Sequence, residues 1–350
     1  MRHRSLLILF VALLSLAVPA LAGAATPRAV VFSKSTTIEG EAKGGLYAVK
    51  SGHLNQITEN PADTEPAFSP DGRTIAFVRD GDLYSVRPDG SGQRQLTSGP
   101  DRDSAPIVSP DGRFVVFERR AAAGGPADLG IVRALGGGMR VLTSGPADDH
   151  EADFSPDGRT IVFARNSGTA ANSEEDLYSV RPSGARLTRL TRTGVDEFKP
   201  RYFAGGIVFS RGESSAGPAA YADVYTMRRN GKNVKPLVAG VGSAYVEDVS
   251  PDGHAVLFRR DQGLWVKRVG PGRAHKLAQL PDGSQTNGVF SSDGRRIAAF
   301  VEVEDQQSLV AIAVSDRHQT KLAEGFEASA EDGTVIGPVI AWQPVPHRGR

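Results

Sequence analysis

One unit recurs along almost the whole of this 350-residue chain, and that repetition restricts the fold more tightly than any other feature. Its clearest copy reads Pro66-Ala67-Phe68-Ser69-Pro70-Asp71-Gly72-Arg73-Thr74-Ile75-Ala76-Phe77, then Asp82-Leu83-Tyr84-Ser85-Val86, then Gln95-Leu96-Thr97. Ser-Pro-Asp-Gly is turn chemistry: Pro presets φ, Asp bonds nearby backbone, and Gly accepts the positive φ that reverses the chain. Phe68 and Ile75 therefore lie on two antiparallel strands. Leu83 to Val86 makes a third, the turn Pro88-Asp89-Gly90-Ser91-Gly92 reverses the chain again, and Arg94 to Thr97 forms a fourth. Four short antiparallel strands per unit make one blade of a β-propeller.

The turn returns as Ser109-Pro110-Asp111-Gly112, Ser155-Pro156-Asp157-Gly158, Ser250-Pro251-Asp252-Gly253 and, weakened, Ser291-Ser292-Asp293-Gly294. Another copy lacks the turn but keeps its strands, Tyr202 leading through Ala204-Gly205-Gly206 to Ile207-Val208-Phe209 and then Asp223 to Met227. Gly130 stands where a third-strand Tyr is expected and Ala299 where a second-strand Phe is expected, which predicts local repacking in those units. The N-terminal copy begins directly at a second strand, Val30-Val31-Phe32, and lacks a first. The C-terminus supplies one, because Val339-Ile340-Ala341 followed by Trp342-Gln343-Pro344 matches the Phe68-Ser69-Pro70 pattern. The prediction is an all-β propeller of four-stranded antiparallel blades over residues 29–344, closed by the C-terminal strand. The count is seven blades, or six if one weak copy is a loop. A linker over 23–28 precedes it and a basic tail over 345–350 follows.

These residues resemble the TolB-type propeller repeat, the Pro-Asp-Gly relative of the WD-type repeat, and the resemblance runs from Ala29 to Pro344. It implies an envelope protein that contacts partner proteins through a propeller face. Members of the TolB type carry an α/β domain upstream, whereas here the repeats start close to the N-terminus, so the resemblance does not extend to a role in Tol transport. Related propellers also sit beside α/β-hydrolase domains in peptidases and act as pectic-oligosaccharide lyases, which makes enzyme chemistry the alternative to test.

The N-terminus reads as a signal peptide: Arg2 and Arg4 precede the apolar run Leu6 to Val18, which ends at Pro19 and the small-residue site Ala20-Leu21-Ala22. Cleavage after Ala22 is expected, giving a secreted protein, extracellular or periplasmic, with no membrane anchor. The run is shorter than the roughly 20 residues that span a bilayer. With 0 Cys, the exported chain has no disulfides and is held by core burial and strand pairing. Its 41 basic and 40 acidic residues nearly cancel, without a basic stripe, which argues against nucleic acid. A monomer is expected.

Catalytic signals are sparse. No Gly-x-Ser-x-Gly elbow occurs, and Gly212-Glu213-Ser214-Ser215-Ala216-Gly217 has the wrong spacing. The seven His residues are scattered: His3 in the leader, His53 and His318 near turns, His254 after a turn, His275 near a fourth strand, His347 in the tail. Only His150 lies where a ligand would, and His150-Glu151 belongs to no His-Glu-x-x-His helix. No cofactor and no metal is expected. The turn Asp residues and the third-strand series Tyr47, Tyr84, Tyr178, Tyr225 and Trp265 read as structural, the latter as packing between blades. The Ser- and Gly-rich stretches 121–127, 166–175 and 212–222 read as loops between second and third strands.

One feature exceeds what the fold requires: acidic residues gather where each first strand begins. They are Asp63 and Glu65, Asp101 and Asp103, Asp148, Asp149 and Glu151 beside His150, Asp196 and Glu197, and Glu247 and Asp248. First strands are innermost in a propeller, so these side chains should converge on one mouth of the central channel. At about 10 Å and an effective dielectric near 20, each pair of charges would repel by about 1.7 kcal/mol. The expectation is a binding or scaffold module for a protein or peptide, with a cationic partner seated on a rim of Asp63, Glu65, Asp103, Asp149, His150, Glu151, Asp196, Glu197 and Glu247. The alternative is a carbohydrate-active lyase or hydrolase.

Overall fold

The computed structural model describes residues 29–38, 41–50, 52–168, 175–212, 221–240, 243–280, 288–303, 306–323 and 335–342. The leader, the basic tail, residues 169–174 and residues 213–220 thus lie outside the described residues, and so do the cleavage site and the rejected Ser-containing loop. Seven four-stranded antiparallel sheets follow one another, and the described residues contain no helix.

Blade 1 takes its first strand, Val335–Trp342, from the C-terminus and continues with Val30–Ile38, Glu41–Lys50 and His53–Gln56. The closing register pairs Val30 with Trp342, Val31 with Ala341 and Phe32 with Ile340. First strands of the other blades are Asp63–Phe68, Arg102–Val108, Asp148–Phe154, Asp196–Phe203, Ala244–Val249 and Val289–Phe290. Each touches the first strand of the next blade, and the last touches Val335–Trp342, so the seven form a closed hub. Seven blades and closure by the C-terminal strand are therefore as the repeats predict.

Each blade is too thin to bury a core alone. The apolar clusters lie between blades: Val31, Leu46 and Ile57 of blade 1 meet Ile75, Phe77 and Val86 of blade 2, and the pattern repeats round the ring until Phe300 and Leu309 of blade 7 meet Val30, Phe32 and Trp342. The second-strand series Phe32, Phe77, Phe117, Phe163, Phe209, Phe258 and Phe300 is fully buried. Third-strand aromatics pack on these rings as cross-strand partners, with centroids 5.8 Å apart for Phe77 and Tyr84 and 6.0 Å for Phe163 and Tyr178. The expectation of packing between blades thus holds in part, since each Tyr also pairs within its own blade.

The two departures in the repeat have local reasons. At Gly130 the Phe117 ring occupies the place of the missing side chain, and a Cβ there would meet ring carbons at 2.5 Å. In blade 7 Ala299 takes the face that Phe normally holds. Phe300, one residue later, turns to the opposite face and packs edge-on against Phe32 of blade 1 at 5.8 Å.

The Ser-Pro-Asp-Gly turns explain their own residues. The Ser155 hydroxyl donates to Asp157 Oδ1 at 2.6 Å and accepts the Thr160 amide at 3.0 Å, while Asp157 accepts the Arg159 amide. Gly158 sits at φ +67, where a side chain is strained. The Ser155 hydroxyl, then the Arg159 amide, hold the Asp157 carboxyl below the usual range. These carboxylates are consumed by the turn.

Candidate functional site

The first strands do not run straight. In blades 2 to 6 the pairing slips between Thr64 and Ala67, Ser104 and Ile107, His150 and Asp153, Phe198 and Arg201, and Val246 and Asp248. Glu65, Ala105, Glu151 and Lys199 occupy the bulges with φ between 49° and 55°. A bulge leaves a backbone amide without its ladder partner, and buried amides need an acceptor. The preceding blade supplies it. Glu65 Oε2 accepts from the Ala105 amide at 2.5 Å, Glu118 Oε1 from Glu151 at 2.8 Å, Glu151 Oε2 from Lys199 at 2.5 Å, and Ser210 Oγ from Val246 at 2.9 Å. Deeper in the hub, Asp153 and Asp248 accept the Tyr202 and Phe290 amides, each at 2.7 Å. Burial raises both carboxyls to about 6.

The expected rim divides into two groups. Asp63, Asp103 and Asp149 are buried, not solvated, and each is gripped at both oxygens by the second-strand Arg sixteen positions later. Arg79 binds Asp63 at 2.5 and 2.8 Å, Arg119 binds Asp103 at 2.7 Å twice, and Arg165 binds Asp149 at 2.5 and 2.7 Å. Arg211 holds buried Glu197 at 2.9 Å. These guanidiniums cap the aromatic pairs, that of Arg165 lying 4.9 Å from the Tyr178 ring and that of Arg211 4.6 Å from Tyr225. Asp196 is also buried and accepts the Glu175 amide at 3.1 Å. The repulsive ring of free carboxylates expected from the sequence is absent at these positions because each Asp63-type acid carries its own cation.

Glu65, Glu151 and Glu247 remain at the hub. They line a cavity of about 310 Å³ with Glu118, Lys199, Arg201, Pro106 and Ile107. Glu247 is buried, with Lys199 Nζ at 3.6 Å and Arg259 Nε at 3.8 Å; burial raises its carboxyl, and those two cations oppose the rise. Burial likewise raises the Glu118 carboxyl. His150 flanks this cavity. Its Nδ1 is 3.9 Å from Glu151 Oε2 and its Nε2 is 3.3 Å from Glu175 Oε1. Burial, followed by the charges of Glu151, Asp196, Asp148 and Glu197, pushes Glu175 up to about 9. The companions of His150 are thus carboxylates. His53, His254, His275 and His318 lie on other parts of the fold, so no second imidazole joins it among the described residues.

Four site residues carry no mark of their role in the sequence pattern: Glu118, Glu175, Lys199 and Arg201. A signal for the burial of the acids is present, since Phe77-Val78-Arg79, Phe117-Glu118-Arg119, Phe163-Ala164-Arg165 and Phe209-Ser210-Arg211 repeat a Phe-x-Arg pattern, the acid standing sixteen positions before the Arg in the first three and fourteen before Arg211.

Comparison with known proteins bears on the fold. A search of curated protein sequences gives no significant match. Among solved structures the chain is similar to TolB from Acinetobacter baumannii, with 14% identity, a TM-score of 0.55, and coverage of 90% of this chain and 82% of that one. Oligogalacturonate lyase from Vibrio parahaemolyticus is similar at 14% identity and TM-score 0.63, covering 83% of this chain and 91% of that one. A puromycin-hydrolysing peptidase from Mycobacterium tuberculosis is similar at 13% identity and TM-score 0.62, covering 83% of this chain but 53% of the peptidase. At these identities the likeness extends to the fold alone. The family model for the TolB beta propeller domain matches residues 22–200, and with its repeats, blades and hub accounted for, this chain belongs to the TolB β-propeller family.

Proposed function

We propose that this chain is an exported binding module whose channel mouth receives a cationic segment of a protein or peptide. The observation that carries the reading is the composition of the hub cavity: four carboxylates, Glu65, Glu118, Glu151 and Glu247, face only two cations, Lys199 and Arg201. Glu65 and Glu151 are half-buried, and each spends one oxygen on a neighbouring amide, which fixes it in place while leaving acceptor capacity. A Lys or Arg side chain, or a free amino terminus, matches a cavity of that size and charge. The leader sequence supports export, and the family resemblance supports a protein partner.

The test is a fluorescence titration of the mature protein with a Lys- and Arg-rich peptide set and an acidic control set, at low and at high salt. Binding of basic peptides, weakened by salt and weakened further in the Glu65→Gln, Glu151→Gln double variant, is expected. Gln retains the oxygen that accepts the amide, so the fold is preserved. Equal binding by the folded double variant at both salt levels overturns the reading, because interactions among exposed charges are screened over about 8 Å at physiological ionic strength. Cleavage of an uncharged or pectic oligosaccharide by the wild type would replace it with the enzyme alternative.

A further inference from the structure

Blade 4 carries a cluster of which the channel reading uses only Glu151. His150 and Glu151 are consecutive on the first strand, where side chains normally alternate between faces. The bulge at Glu151, with φ +55, breaks that alternation and brings the two toward the same side. Glu175 opens the third strand of the same blade, opposite Asn166, which itself pairs with Asp148 at the start of the first strand. The three side chains meet at one end of the sheet, and one ligand atom from each lies within 4.8 Å of the others.

Glu175 is what makes this more than a gathering of polar groups. Its side chain is 6% exposed, and Oε1 accepts no hydrogen bond while pointing at His150 Nε2, 3.3 Å away. Buried carboxylates are ordinarily paired or hydrogen-bonded, and one left without a donor is costly. The nearby cations are committed elsewhere: Arg165 to Asp149, Arg120 to Asp148, Arg211 to Glu197 and Lys199 to Glu247. Around Glu175 stand Glu151, Asp148, Asp196 and Glu197, so the surroundings are anionic on the first-strand side and on the blade 5 side. His150 is the one ion-pair partner of Glu175 among the described residues.

We propose that His150, Glu151 and Glu175 form a binding site for a divalent first-row transition-metal ion of the Zn²⁺ or Mn²⁺ class, on the wall of the channel mouth. With metal–ligand bonds of roughly 2.0–2.2 Å, ligand atoms of a tetrahedral site sit about 3.4 Å apart, which is the separation of His150 Nε2 from Glu175 Oε1. Glu151 supplies the third ligand atom, within 4.8 Å of the other two. One imidazole and two carboxylates suit such ions, whereas Ca²⁺ and Mg²⁺ take oxygen ligands only. Three protein ligands leave a coordination position for water or for a ligand in the adjoining cavity, which Glu151 also lines.

The experiment uses the mature chain dialysed against chelator, then titrated with ZnCl₂ and with MnCl₂ by calorimetry. One ion per chain, with micromolar affinity, is expected. His150→Ala and Glu175→Gln should each weaken binding at least tenfold, while His53→Ala, on an exposed fourth strand of blade 1, leaves it unchanged. Circular dichroism establishes that each variant is folded, and the partly exposed His150→Ala keeps the test valid if Glu175→Gln is not. Absence of binding by the wild type at 100-fold higher concentration overturns the proposal. So does unchanged binding in the folded His150→Ala variant, or tighter binding of CaCl₂ than of either transition ion. No peptide is present, so the outcome is separate from that of the channel reading.

Discussion

Substituting Arg165 by Ala tests the account of the buried acids most directly. Asp149 is 0% exposed, and both of its oxygens accept from Arg165, whose guanidinium also lies over Phe163 at 5.6 Å and Tyr178 at 4.9 Å. Arg165→Ala leaves the Asp149 carboxylate buried without its cation, a change that costs about 3–5 kcal/mol. The lost cation–π contacts add roughly 0.5–1 kcal/mol. An unfolding entropy of about 2.1 cal/mol/K per residue, over roughly 310 residues, gives about 0.65 kcal/mol/K, so the variant should melt about 5–9 °C lower. The control is Arg73→Ala, whose 4.0 Å contact with Asp71 is exposed on both sides and whose loss should move Tm by less than about 1 °C. Thermal denaturation followed by circular dichroism reads both. If Arg165→Ala melts within a degree of Arg73→Ala, the acid is not held by that Arg, and the solvated rim expected from the sequence regains its standing.

Two further outcomes are expected. Deleting Pro338 to Arg350 removes the pairs of Val30, Val31 and Phe32 with Trp342, Ala341 and Ile340, exposes a strand edge and empties the place of buried Trp342; a large drop in Tm with dye binding and self-association should follow, and an unchanged melting curve would refute closure. In chelator, stability should fall as pH rises, because Asp153 and Asp248, near 6 in the fold, and Glu175, near 9, bind protons more tightly folded than unfolded. Their contribution is complete below about pH 4 and is lost as pH climbs through those folded values. Melting at pH 5, 7 and 8.5 measures it: Glu175→Gln should flatten the decline above pH 6.5, and identical pH profiles for variant and wild type would contradict the assignment.

The architecture was legible in the sequence because each blade repeats the same local chemistry. Turn residues at fixed offsets, an aromatic two strands away and an orphan second strand at Val30 require no long-range information. The fate of the acids was less legible. Asp63 and Glu65 are two residues apart on the same strand, yet one is buried against Arg79 and the other faces the cavity, and the bulge between Thr64 and Ala67 that reorients the backbone leaves no mark in composition. Likewise Glu175 lies 24 positions after Glu151, at the start of the third strand. Only the pairing of the second strand with both the first and the third brings it to His150.

Among the described residues the last strand, Val335–Trp342, is the innermost strand of the first blade, and that order constrains how the chain acquires its structure. Until Val335–Trp342 has been delivered, Val30–Ile38 keeps an open edge and the apolar contact between blades 7 and 1 lacks Ile340 and Trp342. Completion of the ring therefore waits on a contact that spans nearly the whole polypeptide, the slowest kind to form. A chain interrupted at any earlier point retains a sticky strand at Val30–Ile38, so the interval between emergence of Val30 and arrival of Trp342 is when a holding factor matters most.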